Sequence, residues 1–226
     1  MNPLSATRKI LCMTGELVQH PRELPYAPRW FRSLLPGHSP LQDETPWITF
    51  RAIDWLDAFL KPDMNVFEYG AGGSTLYLAK RARRVVSVEH DEGFHELVST
   101  LLANRSVANC ELMLHKAEPC NDLNRHFASH QKKYQGLCFE SYVKAIDAYP
   151  DQSFDLVLVD GRARMACVER ARSKLKPGGA LVLDNSDRPG YAHARELMND
   201  IAPLDLAGFT PWNIEPSQTT VWRIPA

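Results

Sequence analysis

"NVFEYGAGGSTLYLAKRARRVVSVEHD" spans residues 65–91 and decides the fold of this chain. A short apolar run ends in a glycine cluster, and after a helical stretch a second apolar run ends in Glu89. Short buried strands that alternate with helices are typical of a parallel sheet with helices on both faces. In such sheets, ligands bind outside the carboxyl ends of the strands. Residues 70–73 and Glu89 are therefore the first candidates for a binding site.

The same alternation continues through most of the chain and predicts a doubly wound α/β fold. Strands are predicted at residues 65–70, 84–90, 110–117, 154–160 and 179–185. Helices are predicted at residues 46–60, 74–82, 92–104, 138–149, 165–175 and 191–200, the first of them capped by Thr45. Two extended runs around Phe209 and Val221 flank a Glu-Pro-Ser turn, which predicts an antiparallel hairpin at the sheet edge.

Composition narrows the class of protein. The chain has 226 residues, 44% of them hydrophobic, and a formal net charge of -1. One domain with an extension is expected at this length. Nucleic acid is a disfavoured partner, because phosphate contacts need a clear excess of Lys and Arg. No run is apolar enough for a membrane span or a signal peptide, so we expect a cytoplasmic protein without a membrane partner.

The five cysteines are odd in number and show no CxxC spacing. Such a set predicts neither a disulfide framework nor a zinc site. Reduced, mostly buried thiols are therefore expected at Cys12, Cys110, Cys120, Cys138 and Cys167.

Residues 1–45 differ from the rest of the chain and are predicted to form an N-terminal arm or lid, which precedes one domain at residues 46–226. The second half of this segment is rich in proline and aromatic side chains, which suits an ordered wrap better than a long helix. The arm either packs on the core or crosses the carboxyl ends of the strands. In the second case Tyr26, Trp30 and Phe31, with Trp47 close by, would add an apolar wall to the acceptor pocket.

The turn after the first strand has the sequence EYGAGGST, residues 68–75. Glycine at such a turn lets the backbone approach a ligand closely. The dinucleotide fingerprint GxGxxG is not satisfied, because Thr75 occupies the position of its third glycine. A glycine turn preceded by the Glu68 carboxylate suits a ligand with a cationic amino group better than a pyrophosphate. Alternatively, Glu68 is a partner of the helix terminus that follows.

This turn resembles that of the class I S-adenosylmethionine-dependent methyltransferases. VVSVEHD at 85–91, FDLVLVDG at 154–161, LKPGGALVLDN at 175–185 and the terminal hairpin follow in the order and spacing of that family. The resemblance covers residues 46–224. It implies a Rossmann-like sheet of order 3-2-1-4-5-7-6 with strand 7 antiparallel.

The resemblance also implies that S-adenosylmethionine is bound and leaves as S-adenosylhomocysteine. Its methionine part would lie at the glycine turn, its ribose hydroxyls would donate to Glu89, and its adenine would lie beside the end of the third strand. Charge-assisted hydrogen bonds of the kind expected at Glu89 contribute about 1.5–3 kcal/mol each. The implied cofactor-binding residues are Glu68, Gly70, Ala71, Gly72, Ser74, Glu89, His90, Ala117, Glu118 and Asp160.

The acceptor is expected at the ends of strands 4 and 5, with Asp160, Arg162 and Asp184 as the candidate catalytic residues. Asp160, Asp184 and Asn185 resemble the magnesium site of catechol-type O-methyltransferases, in which hard oxygen ligands hold the cation. Those enzymes carry a lysine base three residues after the first aspartate, where this chain has Ala163. Mg²⁺ is therefore not favoured and no metal ligand is assigned; Asp160 then orients the cofactor and Asp184 caps local backbone.

Two arginines, Arg162 and Arg164, directly follow strand 4. Either at least one of them faces the acceptor, which would then be anionic, or both form ion pairs with the loop at residues 118–135. The predicted function is S-adenosylmethionine-dependent O-methylation of a small-molecule or glycan acceptor. The alternatives are methylation of RNA or protein, and a cofactor-binding protein without catalytic activity.

Overall fold

A seven-stranded sheet forms the centre of the computed structural model, which describes residues 15–129 and 131–226. Its strands are β1 (Asn65–Tyr69), β2 (Arg84–Glu89), β3 (Cys110–Leu114), β4 (Phe154–Val159), β5 (Leu175–Asp184), β6 (Pro203–Gly208) and β7 (Ser217–Arg223). Their spatial order is β3-β2-β1-β4-β5-β7-β6. Strand β7 runs antiparallel to both of its neighbours, while the first five strands are parallel. The predicted strand order and terminal hairpin are confirmed.

Helices cover both faces of this sheet. α-Helices lie at α1 (Ala27–Ser33), α2 (Pro40–Asp43), α3 (Phe50–Phe59), α4 (Gly73–Ala79), α5 (Glu92–Asn104), α6 (Glu140–Lys144), α7 (Arg164–Lys174) and α8 (Ala194–Leu197). Short 3-10 helices lie at Pro21–Tyr26, Arg125–Phe127, Lys132–Tyr134, Ala145–Ala148 and Pro189–Tyr191. The helix predicted at 191–200 is thus reduced to the single turn of α8, and the helix predicted at 138–149 is split between α6 and a 3-10 turn.

Helix α3 begins later than its sequence predicts. Thr49, and not Thr45, caps it, because the Thr49 hydroxyl accepts a hydrogen bond from the Ala52 N–H at 3.3 Å. The Phe50 N–H, which has no partner within the helix, donates to the Phe209 carbonyl at 2.9 Å. The prediction that the helix starts at Pro46 was therefore wrong, and the true start is tied to the terminal hairpin.

Alternate residues of each strand enter two separate apolar layers. In β1, Val66 packs with α3 on one face, and Phe67 packs with α6 and α7 on the other. Val66 and Phe67 are both fully buried. This two-sided burial sets the register of the parallel strands, so that their carboxyl ends meet at one edge of the sheet.

The segment before α3 packs on the core. Trp30 is completely buried and stacks on Phe209 with ring centres 4.1 Å apart. Its indole N–H donates to the Asn213 carbonyl at 2.7 Å. Tyr26 stacks on Phe50 at 5.9 Å. These contacts place the aromatic side chains of the arm against the hydrophobic core and the hairpin.

A disulfide joins Cys120 to Cys138. The expectation of reduced thiols was wrong for this pair, because the antiparallel pairing of Glu118–Pro119 with Leu137–Cys138 brings together two cysteines that lie 18 residues apart. The two cysteines meet only in the folded chain, and no local stretch of sequence indicates their pairing. Cys110 and Cys167 are free thiols, and Cys12 lies outside the described residues. Within the described part of the chain, no helix is long and apolar enough to cross a membrane.

Candidate active site

A cavity of about 510 Å³ opens at the carboxyl ends of β1, β2 and β4. It contains most of the residues predicted to bind a cofactor: Gly70, Ala71, Gly72, Ser74, Glu89, His90 and Asp160. Its other lining residues are Pro40, Trp47, Gly73, Asp91, Gly93, Phe94, Leu97, Lys133, Tyr134, Gly161 and Arg162. We call this space the cofactor cavity.

The glycine turn is held in place by close backbone packing on two sides. Gly70 has a φ of +98°, and a Cβ there would lie 2.9 Å from the Gly161 Cα. A Cβ on Gly73 would lie 2.0 Å from the Pro40 carbonyl oxygen. Side chains at these two positions would therefore separate the turn from the loop after β4 and from α2. By contrast, a Cβ on Gly72 would meet only the Phe94 ring, at 3.8 Å, on the cavity side.

Glu68 lies beneath the turn and does not line the cavity. Its side chain is completely buried, and its Oε2 accepts hydrogen bonds from the Thr75 hydroxyl at 2.6 Å and from the Ser87 hydroxyl. The Thr75 oxygen in turn accepts from the Gly72 N–H at 2.9 Å. Burial raises the pKa of Glu68 to about 7, and its Oε1 is buried without a hydrogen bond. In this geometry Glu68 shapes the turn through Thr75.

When the pH rises from 6 to 8, the free energy of unfolding is expected to fall by roughly 1 kcal/mol less in the Glu68→Gln variant than in the parent. The folded-state pKa of about 7 lies above the ordinary value of 4.5. The stability that this proton contributes is therefore fully present below pH 4.5 and is lost as the pH rises through 7. Urea unfolding of both proteins at pH 6 and 8 measures the difference. The exposed Glu92→Gln variant is the control, and parallel profiles of Glu68→Gln and the parent would contradict the expectation.

Glu89 presents one free carboxylate oxygen to the cofactor cavity. Its Oε1 accepts from the backbone N–H groups of His90 and Asp91, both at 2.8 Å. Its Oε2 accepts no hydrogen bond from the described residues, although the side chain is only 5% exposed. A carboxylate that is fixed by two backbone donors and keeps one free oxygen suits recognition of ligand hydroxyl groups.

Aromatic and apolar side chains form the opposite wall of the cofactor cavity. Phe94 and Leu97 project from α5, and Tyr134 comes from the segment closed by the disulfide. The Tyr134 hydroxyl lies 2.6 Å from His90 Nε2, so His90 links Tyr134 to the end of β2. Sequence reasoning missed these three wall residues. The spacing of Phe94 and Leu97 on a helix directly after Glu89 was the available signal.

Ala117 and Glu118 do not line the cofactor cavity. Ala117 packs against the apolar layer beneath the segment, and Glu118 pairs with Cys138 in a two-residue ladder. Their assignment to adenine stays a prediction. Phe94 and Leu97 line the cavity itself and form an apolar surface on which a flat ring could pack, unlike Ala117 and Glu118.

A second cavity, of about 420 Å³, adjoins the first at the ends of β4 and β5. Trp47, Asp160 and Arg162 line both spaces. The other lining residues are Gln131, Arg164, Asp184, Asn185, Asp187, Arg188, Thr210, Asn213, Glu215, Pro216 and Ser217. The buried Thr210 hydroxyl has no hydrogen bond partner. We call this space the acceptor cavity; it brings together all three predicted catalytic residues.

The two carboxyl groups at this junction share one guanidinium. Arg164 Nη2 donates to Asp160 Oδ1 at 2.7 Å, and Nη1 lies 3.7 Å from Asp184 Oδ2. Burial, followed by the charge of Asp160, raises the pKa of Asp184 to about 8. Burial also raises the pKa of Asp160, against the effect of Arg164. Asp184 is the more buried of the two, since its side chain is 3% exposed and that of Asp160 is 25% exposed.

The two arginines after β4 differ in their surroundings. Arg164 is buried beneath the strand ends, whereas Arg162 lines both cavities with its guanidinium 5.2 Å from the Tyr134 ring centre. The Arg162 Nε is buried without a hydrogen bond. Within the described residues neither arginine forms an ion pair with the loop at 118–135. Of the two arginines, Arg162 therefore borders more of the open space.

No group of three or more His, Cys, Asp or Glu side chains that could hold a metal ion is found in residues 15–129 and 131–226. Asp160 and Asp184, the two carboxylates that resemble a magnesium site, are both engaged by Arg164. Asn185 instead donates its amide N–H to the Ser217 hydroxyl at 3.0 Å.

No protein-family profile and no curated protein sequence matches this chain, but solved structures do. The O-methyltransferase TomG from Streptomyces achromogenes, in complex with SAM, aligns with a TM-score of 0.60 and 19% identity over 88% of this chain and 98% of its own. A methyltransferase-like protein from Silicibacter pomeroyi aligns with a TM-score of 0.52 and 22% identity over 78% and 88%. An rRNA methylase from Streptococcus thermophilus aligns with a TM-score of 0.53 and 14% identity over 76% of this chain and 93% of its own. At these identities the likeness establishes the fold.

Proposed function

We propose that this chain, whose fold is that of the class I S-adenosylmethionine-dependent methyltransferases, transfers a methyl group from S-adenosylmethionine to a hydroxyl oxygen of a small molecule or glycan. One observation carries the proposal: the cofactor cavity and the acceptor cavity meet at Asp160 and Arg162. A methyl donor in the first space and a hydroxyl in the second would therefore face each other beside a carboxylate.

The cofactor cavity suits S-adenosylmethionine in three respects. The backbone of residues 70–73 borders it without side chains larger than the methyl group of Ala71. The free Oε2 of Glu89 can accept hydrogen bonds from ribose hydroxyls. Phe94 and Leu97 offer an apolar surface to the adenine ring. The same features fit the product S-adenosylhomocysteine, which shares the ribose and the adenine.

Asp160 is proposed as the group that accepts the proton of the acceptor hydroxyl. When bound, S-adenosylmethionine supplies an electrophilic methyl group on its sulfonium. The Asp160 carboxylate lines both cavities, and its contact with Arg164 fixes its orientation. In this proposal Asp160 acts in its ionised form, and burial, which raises the pKa of Asp184, disfavours a second carboxylate charge beside it. Arg162 would orient an acceptor that carries an anionic or carbonyl group.

The size and lining of the acceptor cavity favour a small acceptor. A volume of about 420 Å³ accommodates a small molecule or a single sugar unit of a glycan. The lining combines one aromatic face, Trp47, with carboxylate, amide and hydroxyl groups, so hydroxyl-rich acceptors have both donors and acceptors to bond with. With a formal net charge of -1, the chain has no net positive charge that would attract long polyanions. RNA or protein methylation remains the alternative that the transfer assay decides.

Two measurements test the proposed function. Calorimetry should give micromolar dissociation constants for S-adenosylmethionine and S-adenosylhomocysteine and much weaker binding of NAD, because Thr75 breaks the dinucleotide turn. Incubation with methyl-labelled cofactor and separate metabolite, glycan, RNA and protein panels should label the metabolite or glycan fraction. Saturation by NAD alone would reject the methyltransferase assignment, and label in RNA or protein would reject the acceptor class.

The N-terminal arm is proposed to support the acceptor cavity from behind. The Trp30 indole N–H donates to the backbone carbonyl of Asn213, a residue that lines that cavity. The Trp212 backbone N–H donates to the Ser33 hydroxyl at 3.1 Å. These bonds join the arm to the loop between β6 and β7. The domain division at residue 45 is proposed on this role, in which the arm supports the acceptor cavity, while its Pro40 also packs against Gly73 of the glycine turn.

The Trp30→Phe variant is expected to raise the Michaelis constant of the acceptor about 3- to 5-fold, with an unchanged dissociation constant for the cofactor. Phenylalanine keeps the stacking on Phe209 but loses the hydrogen bond to Asn213, worth about 1 kcal/mol. Steady-state kinetics and calorimetry measure the two constants. Trp55→Phe, which changes an indole stacked on Phe59, is the matched control. Equal weakening of both ligands would instead assign the arm a purely structural role.

A further inference from the structure

Arg164 connects the ends of two neighbouring strands through its whole guanidinium. Nε donates to the Gly161 carbonyl at 3.1 Å, and Nη2 donates to both the carbonyl and the carboxylate of Asp160 at 2.7 Å. Nη1 donates to the Asp184 carbonyl and lies 3.7 Å from the Asp184 carboxylate. The residue is only 4% exposed. A cationic group thus lies between two carboxyl groups and is surrounded by oxygen atoms.

We propose that the Arg164 guanidinium is a built-in counter-cation that takes the place of a divalent metal between Asp160 and Asp184. The guanidinium donates to Asp160 Oδ1 and to the carbonyls of Asp160 and Asp184, and it lies 3.7 Å from Asp184 Oδ2, so oxygens that a hard cation would use already face a cation. The fixed positive charge also repels a second cation from the same space. Asp184 Oδ1 is further engaged by the Thr219 hydroxyl at 2.8 Å. Metal binding would require Arg164 to leave a fully bonded, buried position.

The chain places Arg164 there through an unusual residue conformation. Ala163 has φ 46° and ψ 41°, the left-handed region, directly before α7. This conformation turns the chain so that the first side chain of α7 returns beneath the ends of β4 and β5. The hydrogen bonds that Arg164 makes there offset the backbone cost of this conformation.

A consequence for the acceptor follows, and this part rests on the proposed function. A divalent metal at such a site could hold an acceptor through two adjacent oxygens, since hard cations take several oxygen ligands. With a guanidinium in that place, a single hydroxyl that faces Asp160 is sufficient. The acceptor therefore needs no second, chelating oxygen beside the hydroxyl that is methylated.

Manganese binding tests the counter-cation without cofactor or acceptor. Mn²⁺ is titrated into the purified full chain, and free Mn²⁺ is followed by electron paramagnetic resonance. The parent should show no binding tighter than about 1 mM. Arg164→Ala, which uncovers both carboxylates, should bind one Mn²⁺ at least 10-fold more tightly, and the added substitution Asp160→Asn should remove that binding. Arg170→Ala, in the same helix and exposed, should behave as the parent.

Two results would overturn the proposal. One is a parent that binds one Mn²⁺ with a micromolar dissociation constant that Asp160→Asn abolishes. The other is a folded Arg164→Ala variant, verified by circular dichroism, that gains no Mn²⁺ affinity. If Arg164→Ala does not fold, the parent titration and its Asp160→Asn control decide by themselves. Failure of S-adenosylmethionine binding would reject the proposed function and leave the manganese result standing.

Discussion

Replacing Asp160 with asparagine is expected to slow methyl transfer by about 10²- to 10⁴-fold, the range that a positioned general base contributes. Asp160 is the carboxylate that lines both the cofactor cavity and the acceptor cavity. Asparagine keeps an oxygen that can accept from Arg164 Nη2, so the strand ends stay connected. The amide cannot accept the proton of the acceptor hydroxyl at neutral pH, and therefore the rate falls while the cofactor dissociation constant changes only a few-fold.

Single-turnover transfer of labelled methyl to the acceptor found in the panel measures this rate, and calorimetry measures cofactor affinity. Asp151→Asn serves as the control, because Asp151 is exposed at the opposite end of the sheet beside Lys174. If the Asp160→Asn variant turns over within 10-fold of the parent, Asp160 is not the proton acceptor. A parallel loss of cofactor affinity would instead assign Asp160 to cofactor orientation.

The Glu89→Ala variant is expected to bind S-adenosylmethionine about 10- to 150-fold more weakly, which corresponds to about 1.5–3 kcal/mol. The loss arises because the free Oε2 of Glu89, whose side chain is only 5% exposed, would accept from the ribose hydroxyls. Alanine also leaves the N–H groups of His90 and Asp91 without their acceptor. Glu89→Gln keeps an acceptor for those two donors and should give a smaller loss.

Calorimetric titration of the three proteins with S-adenosylhomocysteine checks this ranking without turnover of the ligand. Glu92→Ala is the matched control, since Glu92 is an exposed carboxylate three residues further on, at the start of α5. An unchanged dissociation constant for Glu89→Ala would mean that the ribose does not lie at the end of β2.

Several residues of the cofactor cavity could be predicted from the sequence because their signals are local. A glycine turn follows a buried strand within a few residues, and Glu89 ends the next strand. Both positions depend only on where a strand ends, which apolar runs and turn residues reveal. The carboxyl ends of parallel strands meet at one edge, so the candidate residues at Gly70, Glu89 and Asp160 line a common cavity.

The roles of several neighbouring side chains could not be predicted. Glu68 belongs to the same motif as the glycine turn, but it lies beneath the turn. Its place in the alternation of β1 directs the side chain away from the cavity and toward Thr75. Tyr134 lies in an irregular segment whose path depends on distant contacts, whereas Trp47, expected close to the acceptor pocket, lines both cavities. The arm aromatics Tyr26 and Trp30 pack on the core instead of lining either cavity.

Hydrophobic periodicity in the sequence indicates the succession of strands and helices along the chain, and the ends of those strands mark the edge where the candidate binding residues meet. The spatial order of the strands was implied by the family resemblance and is confirmed by the fold. The contacts of Arg164 with Asp160 and Asp184 and the bond between Cys120 and Cys138 follow only from the tertiary structure. These pairings join residues that are separated by up to 20 positions and meet only after the sheet has formed. Burial then raises the pKa of both carboxyl groups, an effect of the surrounding low-dielectric interior that no local stretch of sequence contains.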